Sequence, residues 1–402
     1  MVSVALCCLL SVLCLATGTA PASADEPEAL VSIQFSSMTP ALPTPQDTIR
    51  LTGRVTNTGE KPIDRPRVYF WRNQAPINDR EGLDQALESA ANDPLGARVT
   101  ADVQNRQHLW TEADPMLEPG ESADFTVSAT PEQLQFPDTD GIYLIGVHVL
   151  DGTDRPPAIG RARVFAPVVG TAPAHTLQTT SVVILNSKPA RLRDQVFADD
   201  HLAAEVAENG RLHRLLAAAR RPGATFAVDP SLIEELKVMR GGYQVRDADG
   251  KTTPGGGSEQ AAAWLTAFAQ LSADRAGYQL LYGSPDVAAL ARSGRAELLE
   301  RAKAAGATVP ETAKLPLLVW PGDGAADATT IAAVGRLDPA GILLSDRTTR
   351  SDAPVIRYGD GPLIINYRAD TAAGGPGPDP RNTAVQQRQL VLSETYIQAG
   401  TE

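Results

Sequence analysis

Four aspartates recur in one setting in the second half of this sequence. Asp229 follows the apolar run Ala224-Thr-Phe-Ala-Val228, and Asp286 follows Tyr278-Gln-Leu-Leu-Tyr282. Asp323 follows Leu315-Pro-Leu-Leu-Val-Trp320, and Asp346 follows Gly341-Ile-Leu-Leu344. Parallel strands deliver their C-terminal ends to one face, so acids repeated at strand ends share a rim. Two carboxylates on such a rim can serve as acid and base, or acid and nucleophile, on a glycosidic bond. Trp320 and Tyr282 stand beside them as substrate-binding candidates, since an aromatic ring can stack on a sugar.

The same residues also admit a plainer use. Asp229 directly precedes Pro230, the pattern of a helix N-cap with proline at the first helical position. Ser284-Pro285-Asp286 puts a cap, a proline and an acid near the positive end of a helix dipole. Capping is the favoured reading at both. Asp323 differs: in Trp320-Pro-Gly-Asp-Gly324 its flanking glycines allow close approach of a ligand, and the next helix is expected only near Asp327. Function and loop structure both stay open there. Asp346 ends its strand with no recognisable helix to cap. As an enzyme the chain would use Asp323 as acid or base, with Asp229 or Asp286 opposite.

Other chemistries find less support. His175, His201 and His213 lack the His-x-x-x-His spacing of a zinc site. The stretches Gly255-Gly-Gly257 and Gly374-Gly-Pro-Gly377 match no nucleotide-binding pattern, and no Gly-x-Ser-x-Gly elbow marks a serine hydrolase. No metal and no cofactor is expected.

The elements that must hold this rim alternate. The continuous apolar run Ser181-Val-Val-Ile-Leu185 reads as a strand covered on both faces. Helices are expected over 199–208, 212–220, 230–239 and 296–305. Another begins at Ser258, with Ala261, Trp264, Leu265, Phe268 and Leu271 on one stripe. A hairpin is expected about Gly359-Asp360-Gly361, and a last helix over 382–398. Alternating strands and helices predict a parallel α/β sheet, either doubly wound or TIM-barrel-like. Five or six strands are too few to close an eight-stranded barrel, so the barrel is expected to be incomplete or the sheet open.

The first half has a different period. Ile49, Leu51, Gly53 and Val55 face one way, with Arg50, Thr52, Arg54 and Thr56 opposite, and similar short strands follow between turns. This predicts an Ig-like β-sandwich, interrupted by a helical insertion over 79–91. Trp71 and Trp110 are expected to pack its core in preference to lining a sugar-binding surface, and His148 to lie on the outer face of its strand. The organisation is therefore a signal peptide over 1–24, the sandwich over 25–168, a linker over 169–178 and the barrel-like domain over 179–402.

Export follows from the apolar run over 2–16 and the small residues Ala22-Ser23-Ala24 before Asp25. Cys7, Cys8 and Cys14 all fall in that leader, so the mature chain has no thiol or disulfide. The net charge of -12 excludes nonspecific binding to nucleic acid or an anionic membrane. The 30 Arg against 6 Lys read as a bias of genome composition, not as a guanidinium-based function.

Several motifs together resemble one family. They are Pro119-Gly-Glu-Ser, Asp140-Gly-Ile-Tyr143, Phe197-Ala-Asp-Asp200, Gly210-Arg-Leu212, Val228-Asp-Pro230, Ser284-Pro-Asp-Val287 and Trp320-Pro. The family is one of uncharacterised secreted envelope proteins of high-GC Gram-positive bacteria, a domain of unknown function. The resemblance covers nearly all of the mature chain. It implies a β-sandwich, a barrel similar to glycoside hydrolases and deacetylases, and a C-terminal membrane anchor absent from this chain. It also implies cell-wall work, with a wall glycan or wall-synthesis proteins as partners. The chain departs from the family at Ser284, where an acid is usual, and at Asn186-Ser187-Lys188-Pro189, where Trp-Pro is usual.

Two functions are thus expected. One is recognition or hydrolysis of an envelope glycan at the strand-end rim. The other is a noncatalytic scaffold of cell-wall synthesis that keeps a degenerate hydrolase-like barrel.

Overall fold

The computed structural model describes residues 30–401 apart from 91–92, 139, 153–156, 173–176, 352, 358–360 and 369–382. The expected leader over 1–24, most of the linker's tail and the glycine-rich loop over 374–379 lie outside the described residues. So do Gly359 and Asp360 of the expected hairpin turn. Contacts divide the chain into two units, Met1–Ala172 with Gly374–Ile397, and Pro173–Ala373 with Gln398–Glu402.

In the first unit, strands β1 (Val31–Thr39), β2 (Ile49–Asn57) and β4 (Ser122–Ala129) form an antiparallel sheet in the order β1-β2-β4. Strands β3 (Arg67–Arg72), β5 (Asp140–Leu150) and β6 (Gly160–Val169) form a second, in the order β6-β5-β3. Ile49, Leu51, Gly53 and Val55 of β2 are buried and Arg50 and Arg54 exposed, as the period of two requires. Gly53 is obligatory there, because a Cβ would stand 2.3 Å from the Gln34 carbonyl oxygen. One core joins the sheets, with Phe35, Leu51 and Phe125 from the first meeting Phe70, Val147 and Val164 from the second.

The helical insertion is α1 (Arg80–Glu88), started by Asp79, whose side chain accepts from Gly82 N at 2.8 Å. It covers the outer face of the second sheet, where Leu83 and Ala86 pack on Trp71, Leu144 and Phe165. Trp71 is fully buried, a core residue. His148 lies on the outer face, as expected, but is half-buried there. It stacks on Trp71 with centroids 5.6 Å apart. Burial, reinforced by Arg161, Arg98 and Arg163, pushes its pKa down to about 3, so the ring is neutral.

The last helix, Ala384–Thr401, corrects the sequence-order boundary at 179–402. Its packing places it, as far as Ile397, with the first unit. Leu390 and Ile397 complete the cluster around Trp71 and Phe165. Gln386 and Gln389, three apart and so on one helix face, donate from Nε2 to the carbonyls of Arg163 (2.8 Å) and Phe165 (3.2 Å) on edge strand β6. Glu394, nearly buried, pairs with Arg80 of α1 at 2.8 Å. The helix is legible in sequence, but which sheet it covers is not.

The second unit opens with β7 (Ser181–Leu185) and a short hairpin of β8 (Arg191–Arg193) and β9 (Val196–Phe197). Helices α2 (His201–Val206) and α3 (Arg211–Ala219) lead to β10 (Ala224–Val228), α4 (Pro230–Arg240), α5 (Ser258–Asp274) and β11 (Gly277–Gln279). Next come α6 (Val287–Arg292), α7 (Glu297–Gly306), β12 (Leu318–Val319), α8 (Ala328–Gly335), β13 (Gly341–Ser345) and α9 (Asp346–Thr349). Strands β14 (Val355–Arg357) and β15 (Leu363–Tyr367) pair antiparallel.

Strands β7, β10 and β11 pair in parallel, and so do β12, β13 and β15. A single parallel bridge, Gln279 to Leu317, links the two sheets. The parallel strands follow chain order without reversal, so there is no switch point of the doubly wound kind. Among the described residues the run stays open, with no pairing between β7 and β15. Strands β12 and β13 bury both faces, whereas β7 and β15 at the two ends of the run are largely half-buried. Leu185, Phe226 and Val228 pack on helices, while Ala227, Leu280, Leu318 and Leu343 cluster on the opposite face with Trp320 and Tyr367.

Candidate functional site

The four aspartates do stand at the ends of their strands, but in four different physical situations. Asp229 is fully buried. Its Oδ1 accepts from Ser231 N at 2.8 Å, capping α4, and from Gly283 N at 3.0 Å. Its Oδ2 accepts from Ser284 Oγ at 2.8 Å. Three donors on one carboxylate, two of them from the turn after β11, make it a structural tie between neighbouring strand ends.

Asp286 is exposed and caps α6, with Oδ1 accepting from Ala289 N at 2.9 Å. Asp346 opens the short α9, whose cap is Ser345, and lies 3.4 Å from Arg368 Nη1. A helix thus begins at Asp346 where none was recognisable in sequence. Asp323 is exposed in a single turn of 3-10 helix, at φ 53° and ψ 17°, the left-handed region. Asp327 is the cap of α8, accepting from Thr330 N and Oγ1, each at 2.7 Å.

Trp320 lines a pocket of ≈ 200 Å³ at this rim with Asn186, Leu281, Ser284 and Gly322. Its Nε1 is buried without a hydrogen-bond partner among the described residues. Asn186 Nδ2 reaches Ser284 Oγ at 3.4 Å, so the polar wall is continuous with the Asp229 tie. Tyr282 lies apart from that pocket's lining. Its hydroxyl donates to Glu234 Oε2 at 2.6 Å, and burial together with that carboxylate pushes the phenol up. A larger cavity of ≈ 880 Å³ is lined by Ile331, Arg336, Ala340 and Leu363. Ala340 and Leu363 sit at the starts of β13 and β15, so it opens at the opposite end of the strands from the aspartates.

Beneath the rim, Glu235 accepts from the backbone N–H of Ala190 (3.2 Å) and Arg191 (3.1 Å). Burial pushes its carboxyl up, and those two donors hold it back. The bond fixes α4 to the segment leaving β7.

That segment carries a constellation absent from the sequence reading. The β8–β9 hairpin sets Arg191 opposite Phe197, and Ala198 N donates to Ala190 O at 2.8 Å. Carried three residues further on each side, the same register brings Ser187 across from His201. Ser187 Oγ lies 3.1 Å from His201 Nε2, and His201 Nδ1 bonds Asp199 Oδ1. The only sequence signal was the spacing of these residues about a turn at Asp194, too weak to single out. Among the described residues no group of three or more His, Cys, Asp or Glu could hold a metal ion. No helix among them is long and apolar enough to cross a membrane.

Residues 1–353 match the model of the Family of unknown function (DUF6049). The chain belongs to this family. No curated protein matches the sequence. Among solved structures, a CARDB domain from Pyrococcus furiosus, in complex with di-metal ions, is 15% identical, covering 35% of this chain and 87% of its own, with a TM-score of 0.21. A β-glucosidase from Erythrobacter marinus is 18% identical, with coverage of 35% and 16% and a TM-score of 0.20. A β-glucosidase from Listeria innocua, in complex with glucose, is 12% identical, with coverage of 34% and 16% and a TM-score of 0.21. The chain thus spans about a sixth of those two enzymes, and at these TM-scores the likenesses carry no argument.

Proposed function

We propose that this member of the DUF6049 family is an exported cell-envelope protein that recognises an envelope glycan without cleaving it by paired carboxylates. The supporting observation is the pocket at the strand ends, where the Trp320 ring stands beside the amide of Asn186 and the hydroxyl of Ser284. An aromatic face with a few convergent polar groups is the chemistry that holds a sugar ring. At ≈ 200 Å³ the pocket takes a single ring or substituent, not a long chain.

Against paired-carboxylate hydrolysis stands the use already made of the acids. Asp229 is spent on three donors and Asp286 on a helix start. Asp346 is paired with Arg368, so among the four rim aspartates Asp323 is left without a second free carboxylate to complete an acid–base pair. In this reading the first unit is an Ig-like sandwich and the second a barrel-like α/β domain. Export and envelope location rest on the leader pattern over 1–24 and on the resemblance of the motifs quoted above.

The test is calorimetric titration of the full chain with soluble wall-glycan fragments, alongside a Trp320→Ala variant. Binding should weaken roughly tenfold when the ring is removed. Equal affinities for both proteins would remove Trp320, and with it this pocket, from the reading.

A further inference from the structure

The turn after β7 holds polar groups that glycan recognition does not use. Ser187 Oγ faces His201 Nε2 at 3.1 Å, and the opposite ring nitrogen, Nδ1, is bonded to Asp199. Asp199 also accepts from the His201 backbone N–H at 3.1 Å, so the carboxylate is held in two directions. The bond to His201 keeps the Asp199 carboxyl below the usual range, with Lys188 adding to the effect, so this acid is charged. A charged acceptor at Nδ1 fixes the tautomer in which Nε2 presents its lone pair to the serine. The imidazole is 30% exposed and the Asp199 side chain 51% exposed, so solvent and substrate reach the group.

We infer that Ser187, His201 and Asp199 form a nucleophilic centre that hydrolyses small carboxylic esters, with Ser187 as nucleophile, His201 as general base and Asp199 as positioning residue. This does not rest on glycan binding. Ser187 Oγ bonds to the ester carbonyl carbon while its proton passes to His201 Nε2. The bond to the alcohol oxygen then breaks, and His201 returns the proton to the departing alcohol. Water adds to the acyl-serine by the same proton route, releasing the carboxylic acid and restoring Ser187. Ester and water become acid and alcohol, with no other reactant.

The surroundings supply both support and a competitor. Glu205 also faces Ser187 and competes with His201 Nε2 for its single hydroxyl proton. Burial raises the Glu205 carboxyl, but Arg211 and then Ser187 hold it below its usual range. Arg211 restrains that carboxylate through Nε at 2.9 Å and Nη2 at 2.8 Å, and donates from Nη2 to the Asn186 carbonyl at 2.6 Å. One guanidinium thus pins both Glu205 and the backbone next to Ser187. Asn186, which lines the Trp320 pocket, directly precedes Ser187 in the chain.

The test uses the full chain with a fluorophosphonate probe and p-nitrophenyl acetate. Wild type should be labelled at Ser187, located by peptide mass, and should show a burst of p-nitrophenol as acyl-enzyme forms. Ser187→Ala should abolish labelling, and both Ser187→Ala and His201→Ala should lower turnover roughly 100-fold. Added imidazole should restore part of the His201→Ala activity, which mere structural damage would not allow. Absence of label at Ser187, under conditions that label an authentic serine esterase, would overturn the inference. So would labelling that survives His201→Ala and is lost in Glu205→Gln, since the base would then be Glu205. Neither substrate contains a glycan, so this result and the titration above succeed or fail separately.

Discussion

Asp229 and Asp323 stand at equivalent places, each just beyond a parallel strand on the same rim, and their surroundings are opposites. Asp229 is sealed from solvent by donors from two turns, one its own and one that follows β11. Asp323 lies between Gly322 and Gly324, residues with no side chain to offer it, and points from a left-handed backbone on the exposed surface. Topology delivers an acid to the rim. The neighbouring turn decides whether that acid becomes a structural tie or stays available.

The sharpest way to break this contrast is to remove the tie. Asp229→Ala leaves the Ser231 and Gly283 N–H groups and the Ser284 hydroxyl without their acceptor, which should cost about 3 kcal/mol. Urea unfolding followed by fluorescence should show a clearly lower midpoint, and a wild-type midpoint would mean that the three bonds add nothing. Asp286→Ala removes one exposed cap bond and should cost about 1 kcal/mol in the same experiment. A loss as large as that of Asp229→Ala would erase the distinction between a buried tie and a surface cap. Asp323→Asn should change stability by less than about 0.5 kcal/mol. Asp323→Gly should be neutral or raise the midpoint, because glycine relieves the left-handed conformation. Marked destabilisation by Asp323→Asn would show that this carboxylate, too, is engaged.

What was legible in sequence was whatever depends on near neighbours. The alternation of β2 follows from burial on one face, and the cap at Asp229 follows from the proline after it. The helix at Ser258 follows from the stripe of Trp264, Leu265 and Phe268. What escaped depends on partners distant in the chain. Gly283 and Ser284 reach Asp229 from the far side of two helices, and Gln386 and Gln389 meet carbonyls in a sheet built much earlier. Ser187 and His201 are closer, but only the register of a two-rung hairpin reveals that they face each other. Neither residue type nor spacing alone encodes that register. Alternation put His148 on the correct side, but it could not show that Trp71 and flanking arginines half-bury the ring there.

The return of the helix Ala384–Thr401 to the first unit has a consequence in time. Synthesis adds about 5–20 residues per second, and about 200 residues separate Ala172 from Gly374. For roughly 10–40 s after its strands have emerged, the first unit therefore lacks the amides that occupy the Arg163 and Phe165 carbonyls. An open strand edge is a template for pairing with another chain. The bulk of the second unit, Pro173–Ala373, is made within that interval, so any delay in its synthesis lengthens the exposure of the first.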